Sequence, residues 1–135
     1  MRTKKQSGFT LIELLVVIAI IALLASIVLV ALGSARSKSR DAKRIGDVRQ
    51  LGTALELYYN DNNAYPSALS GLAPSYIGAV PTAPTPPDGS CNTGNNAYTY
   101  TQTGSGSGYT LAFCVGGATG GLAAGTHSES TNGIQ

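Results

Sequence analysis

The distribution of apolar positions divides the chain into zones before any single residue is considered. Residues 1–8 are short, polar and basic. From Phe9 the chain turns apolar, and residues 14–32 are interrupted only by Ser26. A helix of that length is about 28 Å long, close to the hydrocarbon thickness of a bilayer. Its many Val and Ile residues are poor helix formers in water. They are tolerated where lipid forces every backbone group to pair within the helix. Residues 34–60 keep a helical period but change character. Ala42, Ile45, Val48, Leu51, Leu55 and Tyr58 recur every three or four positions and form one apolar stripe. Charged residues, among them Arg36, Lys38, Arg40, Asp41, Lys43, Arg44, Asp47, Arg49 and Glu56, are read as filling the other faces. No proline precedes Pro66 and no strong stop signal precedes residues 60–63. The pattern therefore predicts one continuous helix over about residues 9–60, first uniformly apolar and then amphipathic.

Beyond Pro66 the pattern is that of a small β structure. Residues 66–89 hold Pro81, Pro84, Pro86 and Pro87 and read as loop. Residues 97–103 and 109–115 are β-prone runs rich in Tyr and Thr, joined by a Gly/Ser loop over 104–108 that predicts a hairpin. A further short strand is expected near 122–127, followed by a loose end. The fold class is α+β: one long helix whose amphipathic part packs on a small antiparallel sheet.

The formal net charge is +2, and Arg2, Lys4 and Lys5 account for more than that, so the remainder is slightly negative. One histidine, His127, and seven acids offer no Ser/His/Asp, Cys/His or paired-carboxylate arrangement, so no enzyme is expected and His127 is read as a surface residue. The six basic residues between 36 and 49 are read as a solvated helix face, in preference to a contact with DNA or anionic lipid. Tyr58, Tyr59, Tyr65 and Tyr76 are read as packing between helix and sheet. Cys91 and Cys114 are the only cysteines, and they are expected to form a disulfide if that half lies outside the cytoplasm.

Glu13 does not fit a plain membrane anchor. A carboxylate within an apolar helix is costly and points to a function with a partner. The run Lys4-Lys5-Gln6-Ser7-Gly8-Phe9-Thr10-Leu11-Ile12-Glu13-Leu14 resembles the type III signal of type IV prepilins: a basic leader, Gly, Phe, three residues, Glu, then about twenty apolar residues. Residues 54–67, ending Asn60-Asp61-Asn62-Asn63-Ala64-Tyr65-Pro66-Ser67, are similar to the helix end of the major pseudopilins of type II secretion.

This resemblance implies a pilin-like fold and three segments. Residues 1–8 are a leader that prepilin peptidase removes between Gly8 and Phe9. Residues 9–33 are a single-pass inner-membrane and filament-core helix, with the N-terminus inside. Residues 34–135 are an extracytoplasmic domain. It further implies N-methylation of Phe9 and pairing of Glu13 with the Phe9 amine of a neighbouring subunit. A fixed cation and a carboxylate buried together are each other's best partner, and such a pair is better supported as a register device than as a stabiliser. The implied partners are membrane lipid before assembly, other pilin-like subunits, and an inner-membrane platform with its ATPase. The implied function is a structural subunit of a type II secretion pseudopilus or type IV pilus-like filament. A DNA-uptake pilin that binds nucleic acid and an anchored domain that does not polymerise are the alternatives. Two features depart from the family. The apolar helix lacks the proline found in many fibre-forming pilins. Major pseudopilins typically bind calcium in a C-terminal loop, whereas Asp88 stands there alone among Pro, Gly and Ser; calcium takes several oxygen ligands, so no cofactor or metal is expected, with calcium kept as the alternative that the resemblance implies.

Overall fold

The computed structural model describes residues 8–135. They form two compact units that divide between Ala35 and Arg36. Helix α1 spans Leu11–Asn62 and contributes to both. In the first unit none of the residues 8–35 is buried. In the second, α1 supplies a buried stripe of Ile45, Val48, Leu51, Ala54 and Leu55.

Four antiparallel strands complete the second unit: β1 (Thr99–Thr103), β2 (Gly108–Val115), β3 (Gly125–Ser130) and β4 (Gly133–Ile134), in the order β1-β2-β3-β4. The central strand β2 carries the apolar payload. Tyr109, Leu111, Phe113 and Val115 alternate toward the core and are almost completely buried. They meet the α1 stripe together with Tyr65, Leu72 and Ile77 from the connection between helix and sheet. That connection runs through a short 3₁₀ turn, Leu69–Leu72. Its tyrosines pack as expected. Tyr65 lies between Tyr59 and Tyr109, at ring-centroid distances of 4.7 and 4.8 Å, and Tyr58 packs against Tyr76 at 5.2 Å.

The predicted hairpin is present, with Thr99 opposite Ala112 and Thr103 opposite Gly108. The C-terminal expectation requires correction in two respects. The strand lies at Gly125–Ser130, three residues later than read; around Leu122 there is only an isolated bridge to Thr119. The chain end is also not loose, because β4 pairs with β3 through Glu129 opposite Ile134. Polar strands of this kind lack the apolar alternation by which strands are recognised.

Candidate functional site

The first unit presents the assembly candidates. Gly8 and Phe9 precede the first helical residue, and Phe9 is 87% exposed. The bond between them thus lies in irregular, accessible backbone. From there the helix exposes Leu11, Ile12, Leu14, Leu15, Val16, Val17 and nearly every large apolar side chain through Leu32. It is long and apolar enough to cross a membrane. Residues 1–7, the greater part of the expected leader, lie outside the described residues.

Glu13 has a local role that the expectation of an intermolecular partner overlooked. Its Oε2 accepts hydrogen bonds from the Thr10 backbone N–H and the Thr10 hydroxyl, both at 2.8 Å, and the Glu13 N–H donates to Thr10 Oγ1 at 3.3 Å. This is a capping box: a Thr before the helix and a Glu three residues on satisfy donors that the first turn leaves open. The Thr-x-x-Glu signature is legible in the sequence.

The second unit holds a cluster of charges that sequence reasoning placed on the solvated face. Arg44 is fully buried and Asp41 nearly so. One guanidinium nitrogen of Arg44 donates to Asp41 Oδ1 at 2.6 Å and to Asp88 Oδ1 at 3.1 Å; the other donates to Asn96 Oδ1 at 2.9 Å. Asp41 also accepts the backbone N–H groups of Gly116 and Gly117 at 2.7 and 2.9 Å. Arg40 donates to Asp88 at 2.9 Å. Burial alone would raise the Asp88 carboxyl, but hydrogen bonds led by Arg40 outweigh it and hold the group at about 2. The reading of residues 36–49 as a solvated basic face is thereby corrected. Arg44 is core, Arg40 is tied to Asp88, and Lys43 pairs with Asp47. Arg36, Lys38 and Arg49 remain exposed.

This cluster sits beside Cys91 and Cys114, which are bonded to each other with Cα atoms 5.7 Å apart. Gly116 is needed there: a Cβ on it would stand 2.6 Å from the Asp88 carbonyl oxygen. Asp88, weighed above as a calcium ligand, faces two guanidinium groups. Among the described residues no group of three or more His, Cys, Asp or Glu side chains could hold a metal ion. His127 also requires correction. It is half-buried, its ring packs 5.9 Å from that of Phe113, and both ring nitrogens face backbone oxygens.

A capped, exposed apolar stretch of α1 that continues in sequence into a small α+β unit is a pilin-like fold. Residues 3–32 match the family described as the prokaryotic N-terminal methylation motif. Over longer stretches the chain is similar to the type II secretion system core protein G of several bacteria. It is 43% identical to that of Aeromonas hydrophila over 72 residues, which cover 53% of this chain and 50% of the relative. It is 38% identical to that of Escherichia coli K12 over 96 residues, covering 71% and 63%. It is 38% identical to that of Vibrio cholerae over 87 residues, covering 64% and 56%. The chain thus spans between about half and just under two thirds of the length of these relatives.

Proposed function

We propose that this chain is a structural, non-enzymatic subunit of a type II secretion pseudopilus or a closely related type IV pilus-like filament. The carrying observation is the contrast in burial. Every large apolar side chain of residues 9–30 is exposed, while the second unit closes a core of its own. A surface of that kind needs lipid or other copies of the same helix to cover it. In this reading prepilin peptidase cuts between Gly8 and Phe9 and methylates the new Phe9 amine. Residues 9–33 wait in the inner membrane, and residues 34–135 stand outside the cytoplasm. On assembly the apolar helices exchange lipid contacts for contacts with other pilin-like subunits, and van der Waals packing supplies the association. The Glu13 carboxylate pairs with the Phe9 amine of a neighbour and sets the axial register.

The capping box gives this reading a sharp test. Gln serves in a capping box as Glu does, but carries no charge. Glu13→Gln therefore preserves the helix start and removes the ionic partner, whereas Glu13→Ala removes both. Both variants are expected to be inserted and cleaved, with mature chains beginning at Phe9 by mass spectrometry. Both are expected to enter filaments at a small fraction of the wild-type level by electron microscopy of sheared cells. Wild-type filament numbers from Glu13→Gln would reduce Glu13 to a helix cap. An intact Met1 terminus in the wild-type protein would remove the processing step.

A further inference from the structure

The C-terminal hairpin of β3 and β4 meets α1 through an acid that has no visible reason to be there. Glu129 lies on β3 opposite Leu111 of β2 and Ile134 of β4. It is only 9% exposed, and its Oε2 is buried with no hydrogen-bond partner. Its Oε1 occupies space that α1 leaves open by carrying Gly52 there, since a Cβ on Gly52 would stand 2.1 Å away. The shallow groove around it, about 500 Å³, is lined by Arg49, Thr53 and Glu56 of α1, Tyr109 of β2, and Ser130 and Gly133.

The charged and titratable groups facing Glu129 can be named element by element. Arg49 and Glu56 face it from α1, and Tyr109 from β2. Strand β4 offers none, being Gly133 and Ile134. No Lys or Arg occurs anywhere after Arg49 in the sequence, so the sheet supplies neither residue as a partner for Glu129. Arg49 itself makes no hydrogen bond to the buried oxygen.

We propose that Glu129 is a proton-operated latch: with its carboxyl neutral, the C-terminal hairpin is held closed on α1, and loss of that proton loosens it. Burial pushes the Glu129 carboxyl up to about 7 from its ordinary 4.5, with the Glu56 charge adding to the rise and Arg49 opposing it. The folded chain therefore binds this proton more tightly than the unfolded chain. The contribution to stability is full below about pH 4.5 and is lost as pH rises through about 7. The latch goes beyond the filament reading and does not depend on it, because it acts within one subunit.

The test uses the full chain in detergent micelles, with carboxyl-labelled glutamate followed by NMR and thermal unfolding followed by near-ultraviolet circular dichroism. Glu129 is expected to titrate near neutral pH, and the unfolding midpoint to fall by about 5 °C or more between pH 5 and pH 8. Glu129→Gln is expected to remove most of that slope. If Glu129→Gln does not fold, substitutions at exposed neighbours still decide. Glu56→Gln should lower the Glu129 midpoint and Arg49→Gln should raise it. A Glu129 midpoint near 4.5, insensitivity of that midpoint to both neighbours, or an undiminished slope in Glu129→Gln would overturn the latch.

Discussion

Residues 11–35 and residues 36–62 belong to the same helix and draw on the same aliphatic side chains, yet none of the first set is buried and about a third of the second is. The difference lies in arrangement. In residues 14–32 apolar groups cover every face, so no orientation of the helix could hide them within a small sheet. In the second stretch they are confined to a stripe, and the sheet closes over it. Amphipathy thus selects a partner inside the chain, and uniform apolarity selects one outside it. In the first stretch a polar group is satisfied locally, Glu13 through Thr10; in the second, Asp41 and Arg44 are satisfied by groups from distant parts of the sequence.

The largest break in this contrast is expected from Arg44→Met. It would leave Asp41 buried without its cation and destabilise the second unit by about 3–5 kcal/mol, the scale for removing one partner of a buried pair. Denaturant unfolding of the detergent-solubilised chain measures this. Replacing Arg44, Asp41 and Asp88 together by apolar residues should cost less than the single change.

A matched pair of truncations sharpens the contrast. Leu51 is completely buried and Leu24 is 54% exposed. Leu51→Ala should lower unfolding free energy by about 2–5 kcal/mol. Leu24→Ala should leave it within about 0.5 kcal/mol, as substitutions away from a core do. It should instead reduce filament yield, measured by shearing and electron microscopy. Equal losses of stability from both would show that residues 11–35 are packed inside the subunit.

The smallest effect is in acid. Asp88 is held at about 2 in the fold against an ordinary 3.8. Its contribution is therefore present above about pH 3.8 and declines as pH falls toward 2, the reverse of Glu129. Thermal midpoints measured between pH 5 and pH 2 should fall, and Asp88→Asn should fall less steeply over the same range.

The long helix was legible because its period and the absence of proline before Pro66 are local properties. So was the β1–β2 hairpin, with Tyr and Thr on either side of a Gly/Ser loop. The buried charges were not. Asp41 and Arg44 fall at helical spacing from Ile45 and Val48, on the very stripe that packs inward, while Ala42 of the predicted stripe is exposed. Only the distant Asp88, Asn96 and Gly116 make those positions tolerable for charges, and no periodicity reports such partners. The β3–β4 pairing was equally hidden, since its one buried residue is an acid, Glu129, seated opposite a glycine. The candidate assembly residues were legible from a short contiguous motif, which needs no tertiary information. The capping role of Thr10 and Glu13 was legible too, as Thr-x-x-Glu at the head of an apolar run.

The Asp41–Arg44 cluster also bears on how the disulfide comes to form. It grips Asp88, three residues before Cys91, and Gly116, two residues after Cys114. A further backbone bond joins Ser90 to Gly116 at 2.9 Å. In a reduced chain that has folded this far, the two thiols are tethered on both sides and their effective concentration is raised well above that of thiols in free solution. With no third cysteine to compete, oxidation has one intramolecular product. In such a chain the bridge would seal a junction that the charges already hold, with an oxidant required and no reshuffling of partners.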